Sequence, residues 1–220
     1  MIYAKKDVVF NKFFSIFNKR LLAYSFDKIY WQASSKLPSG PYIFVCNHSS
    51  WWDGLIYFQL TKTVIQQDLY IMMHEQGLKQ FPYFKKLGAF SIDRSSPKET
   101  IKTMRYAEML LNKGKSVWVF PQGDEYHLEK RPLQFQPGAL YLQEKVPEIP
   151  VIPVCFYYSF AHKRKPEVWI KAGNPLFSTD LPGVLRQEKT LSLEKKCTDA
   201  LDELKGEVIS EKTKHFVNLL

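Results

Sequence analysis

Cysteine is scarce in this sequence of 220 residues, and the three that occur, Cys46, Cys155 and Cys197, form no C-x-x-C pair. Structural zinc sites and disulfide frameworks normally show closely or regularly spaced cysteines, so neither kind of site is predicted. Cys46 and Cys155 lie inside apolar runs and are interpreted as small core residues. The pattern is typical of a protein in a reducing compartment.

Long hydrophobic runs are also missing. No stretch approaches the roughly 20 consecutive apolar residues that a membrane-spanning helix needs. Residues 1–26 lack the uninterrupted apolar core and the small-residue cleavage site of a signal peptide. We therefore expect a cytoplasmic protein that is associated only peripherally with the inner face of the membrane.

Acidic residues are outnumbered, with 22 Asp and Glu against 31 Lys and Arg, which gives a formal net charge of +9. This surplus suggests a polyanionic partner such as nucleic acid, an anionic membrane surface or a phosphate-bearing substrate. The basic residues are dispersed along the chain, and no groove-reading element accompanies them. Nucleic acid is therefore not expected as a partner.

The spacing of apolar residues within residues 1–30 predicts an N-terminal amphipathic helix. Basic side chains flank its phenylalanine-rich face, which favours contact with a membrane surface. The alternative is a helix that packs on its own domain. The remainder, residues 31–220, is expected to form a single domain. The apolar residues of the helix are Val9, Phe10, Phe13, Phe14, Ile16, Phe17, Leu21 and Leu22.

Short apolar runs then alternate with helical patterns along the chain. This alternation predicts an α/β fold with a mixed, largely parallel sheet flanked by helices. The charged C-terminal helix is expected to be exposed at the surface. The predicted strands are 42–47, 69–73, 88–93, 116–120, 149–158 and 167–173, and the predicted helices are 53–60, 75–87, 96–114, 137–146 and 192–214.

His48 and Asp53 follow the first of these buried strands. Reactive groups in α/β sheets gather at the carboxyl ends of strands. A neutral imidazole is a suitable general base, and a carboxylate can fix its tautomer and stabilise the imidazolium ion. Because Ser49 and Ser50 belong to no G-x-S-x-G pattern, the nucleophile is expected to come from outside the protein. The alternative is that both residues only cap a strand and a helix.

Two further stretches place polar groups after predicted strands. "GAFSIDRSS" has Asp93 and Arg94 there, and an arginine can hold a phosphate or carboxylate through paired hydrogen bonds. "VWVFPQGDEY" has Pro121, Gln122 and Gly123, a turn in which glycine lets the backbone approach a ligand closely. These residues are candidates for substrate binding.

The blocks "NHSSWWD", "GAFSIDR", "FPQGD" and "VIPV", in this order, resemble the four blocks of the glycerolipid acyltransferases typified by lysophosphatidic acid acyltransferase. The patterns of that family are NHxxxxD, a glycine-to-arginine block, FPEGTRS and a VxPV-type block. The resemblance covers roughly residues 40–160. Four blocks in order are far more specific than any one of them.

The resemblance implies acyl transfer from acyl-CoA or acyl-carrier protein to a hydroxyl of a lipid acceptor at a membrane surface. His48 would be the general base that removes the acceptor's proton, and Asp53 would orient it. Backbone N–H groups near Gly123 would stabilise the oxyanion. The resemblance implies no metal and no cofactor beyond the acyl donor.

The third block departs from the family pattern at the acceptor site. Asp124 and Glu125 replace the threonine and arginine that serve a phosphate-bearing acceptor, and two carboxylates would repel a phosphate. Arg94, Lys130 or Arg131 could restore a cation there. Both a lysophospholipid and an uncharged acceptor, such as a glycolipid, stay open.

Gln122 stands where the family has glutamate, which keeps the hydrogen-bonding reach and loses the charge. An inactive lipid-binding relative is therefore an alternative, and so is a hydrolase that uses the same pair of residues on water. The presence of both His48 and Asp53 favours a working enzyme.

Overall fold

The computed structural model describes residues 1–35, 37 and 40–220, and its strands form one sheet in the order β4-β3-β5-β2-β6-β7-β1-β8. The strands are β1 (Lys28–Ala33), β2 (Ile43–Cys46), β3 (Leu69–His74), β4 (Ala89–Ile92), β5 (Ser116–Val119), β6 (Val151–Ser159), β7 (Glu167–Ala172) and β8 (Val217–Asn218). The helices are α1 (Val8–Ser25), α2 (Asp53–Thr63), α3 (Glu75–Gln80), α4 (Pro97–Asn112), α5 (Gly138–Lys145) and α6 (Arg186–Ile209).

The five strands from β4 to β6 in this order are mutually parallel. β7 runs antiparallel to β6, and β1 is parallel to β7. The last strand, β8, pairs antiparallel with β1. The predicted mixed, largely parallel sheet with flanking helices is therefore confirmed. Its central strands β5, β2 and β6 bring their carboxyl ends to one edge of the sheet, where the site lies.

Residues alternate between two cores because successive side chains of a strand point to opposite faces. In β2, Phe44 and Cys46 join the core beneath α1 and α2, whereas Ile43 and Val45 join the core beneath α4, α5 and α6. All four side chains are fully buried. This double burial explains why the central strands are apolar throughout.

Helix α1 begins where the Asp7 carboxylate accepts a hydrogen bond from the N–H of Phe10. Its buried residues are Phe14, Asn18 and Leu22, one turn apart, and the Asn18 amide donates to the carbonyl of Leu55 in α2 at 3.0 Å. The helix therefore packs on its own domain through one face. Its opposite face remains exposed.

The structure differs from several of the predicted boundaries, most clearly in three places. The expected helix 75–87 is divided, because Pro82 has no N–H to continue α3 and starts a 3₁₀ helix, Pro82–Leu87. The C-terminal helix begins earlier and ends sooner than predicted. The boundary expected at residue 30 falls inside β1, a strand that the sequence patterns did not indicate.

No helix in the part of the chain that the structure describes combines the length and the apolar character needed to cross a bilayer.

Candidate active site

His48 and Asp53 are in direct contact at the carboxyl end of β2. The Nδ1 atom of His48 lies 2.8 Å from Oδ2 of Asp53, the first residue of α2. The same oxygen accepts the backbone N–H groups of Ser49 at 2.8 Å and Ser50 at 3.0 Å. Asp53 is fully buried. One carboxylate therefore holds both the connecting turn and the orientation of the imidazole.

Tyr158 of β6 completes the environment of the carboxylate, since its hydroxyl donates to the other oxygen of Asp53. Burial, reinforced by the nearby Asp53 charge, raises the pKa of Tyr158 well above its usual range. The phenol therefore stays protonated and acts as a donor. Sequence reasoning did not connect Tyr158 with the dyad, and the only signal for it was its place in the alternation of β6.

His48 is also held from other sides. Its backbone N–H donates to Oε1 of Gln122 at 2.7 Å, and its ring stacks on Phe120 with centroids 4.2 Å apart. The preceding Asn47 is buried; its amide donates to the carbonyl of Phe156 at 3.0 Å and accepts the N–H of the same residue at 2.8 Å. These contacts tie the end of β2 to β5 and β6 and leave little freedom to the imidazole.

A cavity of about 370 Å³ opens beside His48 and extends between α2, β3, α3 and β4. Since Nδ1 of His48 is bound to Asp53, Nε2 is the nitrogen left for a substrate, and the ring is about 20% exposed. The walls of the cavity are mainly aromatic and aliphatic, and include Tyr57, Phe58, Ile71, Phe81, Phe84 and Leu87. The arrangement places a base at the end of an apolar compartment.

Most of the predicted site residues converge on this cavity. Arg94, Pro121 and Gly123 line it together with His48. Asp53 and Gln122 are buried behind the imidazole and support it. Gln122 was predicted to bind substrate, but in the structure its side-chain oxygen accepts a backbone N–H, a role that needs no charge.

Asp93 and Arg131, the other two predicted substrate-binding residues, are not brought to the described cavity wall. The Asp93 carboxylate accepts the N–H and hydroxyl of Ser95, and these hydrogen bonds lower the pKa of Asp93. Arg131 donates to two carbonyls of its own loop and pairs with Asp202 of α6. Both side chains therefore stabilise loops in this structure.

Gly123 adopts a left-handed backbone conformation, with φ of +80°. A Cβ atom at this position would lie only 2.2 Å from Nη1 of Arg94, so the close approach is made by the Arg94 guanidinium. The N–H of Gly123 donates to the carbonyl of Phe120 at 3.0 Å. The expected donation from this N–H to an oxyanion would therefore require that hydrogen bond to break.

The chain's own nucleophiles are poorly placed for catalysis. Burial raises the pKa of the Cys46 and Cys197 thiols well above their usual range and that of Cys155 to about 12, so none is available as a thiolate. Among the described residues, no hydrogen bond joins the hydroxyl of Ser49 or Ser50 to the imidazole. The geometry therefore suits a nucleophile supplied by a substrate.

Comparison with known proteins places this geometry in a family. The chain resembles a solved structure, the 1-acyl-sn-glycerophosphate (LPA) acyltransferase PlsC from Thermotoga maritima, with 20% sequence identity and a TM-score of 0.64. The match covers 89% of this chain and 80% of that chain, which shows a shared fold. No match was found among curated proteins. The Acyltransferase family model matches residues 28–157, more than half of the chain and the part that contains His48 and Asp53, and the chain belongs to that family.

Proposed function

We propose that this acyltransferase moves a fatty acyl group from acyl-CoA or acyl-carrier protein to a hydroxyl of a lipid acceptor. One observation carries the proposal. A histidine whose Nδ1 is held by a buried carboxylate, His48 with Asp53, stands at the mouth of an apolar cavity. A lysophospholipid and an uncharged lipid are both acceptors of this class.

The apolar cavity supports a fatty acyl chain as the transferred group. An alkyl chain that enters it leaves water, which contributes about 0.8 kcal/mol for each buried methylene. The walls supplied by Phe58, Phe84 and Leu87 offer aromatic and aliphatic contacts along its length. A chain bound there would hold its thioester carbonyl near the open end, beside His48.

The proposed reaction uses the imidazole first as a base and then as an acid. The acceptor oxygen attacks the thioester carbon while Nε2 of His48 takes the hydroxyl proton. Asp53 stabilises the resulting imidazolium ion through Nδ1. Collapse of the tetrahedral intermediate breaks the C–S bond, and the departing thiolate receives the proton from the imidazolium. The products are an ester and a free thiol, and the proposal includes no metal or resident cofactor.

We also propose that the exposed face of α1 contacts an anionic membrane surface on the cytoplasmic side. Val9, Phe13 and Phe17 are between 57% and 71% exposed on this face. Exposed cations stand beside them on the same helix, namely Lys12, Lys19 and Arg20. Apolar side chains with flanking cations suit the interface of an anionic bilayer.

The position of α1 supports a lipid acceptor. On its buried side, the centroid of the Phe14 ring lies 5.0 Å from that of the Phe58 ring and 6.4 Å from that of the Phe84 ring. Both of these residues line the cavity. A membrane that contacts α1 would therefore lie close to the site.

The proposal is tested by incubating the purified protein with labelled acyl-CoA and vesicles of a lipid extract, and by identifying the acylated lipid by mass spectrometry. His48→Ala should abolish the product while leaving the melting temperature nearly unchanged. His162→Ala is the matched control, because His162 is an exposed histidine that pairs with Glu211. Release of free fatty acid alone would indicate a hydrolase. Lipid binding without turnover would indicate a binding protein.

A further inference from the structure

Two carboxylates of the loop after β5 stand at the mouth of the cavity. Asp124 and Glu125 both line it, and Oε1 of Glu125 lies 3.9 Å from Nε2 of His48, the nitrogen that would take the acceptor's proton. We infer that Asp124 and Glu125 select an acceptor whose hydroxyl carries no phosphate group beside it. This inference rests on the proposed function and specifies the substrate class of the same site.

Arg94 is the one Lys or Arg side chain among the described residues that line the cavity, and it is already paired. Its Nη2 atom lies 2.6 Å from Oδ2 of Asp124. Its guanidinium also lies against the backbone of Gly123, which fixes where it can point. The pair is nearly neutral as a unit, so the charge of Glu125 beside His48 is left uncompensated by Arg94.

Other cations near the loop are also engaged within the described residues. The Nζ atom of Lys130 lies 3.7 Å from the centroid of the Tyr126 ring, and Arg131 pairs with Asp202 of α6. His74 lines the cavity, and its Nδ1 accepts the N–H of Gln76 at 3.3 Å. A phosphate monoester would therefore meet a carboxylate at the reacting nitrogen, and no described residue of the wall offers it an unpaired lysine or arginine.

The loop fixes the position of the Glu125 backbone beside His48. On one side of it, the Gln122 side chain accepts the N–H of His48, and on the other side the N–H of Tyr126 donates to the carbonyl of His48 at 3.0 Å. The loop therefore grips His48 before and after Glu125. With the backbone anchored in this way, the Glu125 carboxylate lies 3.9 Å from Nε2, where it repels a phosphate and can accept a hydrogen bond from a second hydroxyl of an uncharged headgroup.

The test is a competition between two acceptors that differ only in the phosphate. A 1-acylglycerol and the 1-acylglycerol 3-phosphate of the same chain are mixed in phosphatidylcholine vesicles with acyl-CoA, and the ratio of their products is measured by mass spectrometry. The wild-type protein should favour the uncharged product. The single variant Glu125→Gln and the double variant Glu125→Gln with Asp124→Asn should each raise the ratio of phosphate-bearing to uncharged product by about tenfold. A larger effect is not expected, because these carboxylates are half-exposed and partly screened.

Glu148→Gln is the matched control. It removes one exposed negative charge just before β6, where the strands begin, whereas the site lies where they end. Its product ratio should equal that of the wild type. High salt should narrow the wild-type preference, since the Debye length falls to about 3 Å at 1 M. A wild-type preference for the phosphate acceptor, or a ratio that neither variant changes, would overturn the inference. Failure of the proposed function can be told apart from failure of this inference, because neither product would then form. That result would also overturn the inference.

Discussion

The two sides of His48 are built in opposite ways. Behind the ring, Asp53 and Gln122 are at most 4% exposed, and each hydrogen-bonds His48 at 2.8 Å or less. In front of it, the side chains of Asp124 and Glu125 are 57% and 49% exposed. A buried group that loses its partner is left desolvated, whereas an exposed one is rehydrated. The side that would support proton transfer in the proposed reaction is therefore rigid, whereas the side that would meet the acceptor can change with little loss of stability.

The same chemical group thus serves two purposes according to its burial. The carboxylate of Asp53 orients an imidazole, because four hydrogen bonds converge on it from His48, Ser49, Ser50 and Tyr158. The half-exposed carboxylate of Glu125, in our inference, acts on the substrate instead, by repelling a phosphate and accepting a hydrogen bond from an uncharged headgroup. Three variants, from the largest expected effect to the smallest, test the contrast between buried and exposed groups.

Asp53→Asn breaks the buried side. An amide of the same size gives up the charge that stabilises the imidazolium ion, so kcat/KM should fall by about 10²–10⁴-fold. The rate is measured from the thiol released by acyl-CoA, and stability from thermal melting. The control is Asp68→Asn, which removes a half-exposed carboxylate that pairs with Lys115 and directly precedes β3. Its rate should stay within about twofold of the wild-type rate. A near-normal rate in Asp53→Asn would reduce Asp53 to a helix cap.

Tyr158→Phe tests how far the rigid side extends behind the dyad. Loss of a hydrogen bond to a charged group should lower kcat/KM by about 10- to 30-fold. Tyr158 holds Asp53 from behind and is not among the described residues that line the cavity. The loss should therefore fall on kcat and leave KM nearly unchanged.

A merely structural role for Tyr158 would lower the melting temperature and leave kcat of the folded protein unchanged. Tyr157→Phe is the control for this measurement, because Tyr157 belongs to the core on the other face of the sheet. An unchanged kcat in Tyr158→Phe, or a loss that falls on KM alone, would contradict a positioning role.

Helix α1 also has one buried and one exposed face. Substitutions on its exposed face are expected to have the smallest effect of the three variants. Replacing both Phe13 and Phe17 with serine should weaken binding to anionic vesicles by about threefold to tenfold, because less apolar surface enters the bilayer. Sedimentation with vesicles measures this. Leu191→Ser with Ile209→Ser removes two exposed apolar residues from α6, on the other side of the sheet, and should change nothing. Equal binding by both double variants would leave α1 a packing element.

Local sequence patterns predicted the sheet, and they also predicted His48 and Asp53, which lie on either side of the turn between β2 and α2. His48 and Asp53 are five positions apart, so strand and helix geometry brings them together. Tyr158 lies 105 positions from its partner Asp53, and only the pairing of β2 with β6 joins them. Residue type alone also could not show that Arg131 is engaged by Asp202 of α6 or that Asp93 closes its own turn. Such pairings depend on tertiary packing.

The left-handed backbone of Gly123 has a consequence for how this protein can vary. A larger residue there would be strained by its φ and would also displace the Arg94 guanidinium that rests on it. The second and third motif blocks are thus joined through Arg94, which rests on Gly123 and pairs with Asp124, and a substitution in one block alters the shape available to the other. Descendants of this sequence that adopt a new acceptor would have to change residues around Gly123 while keeping it.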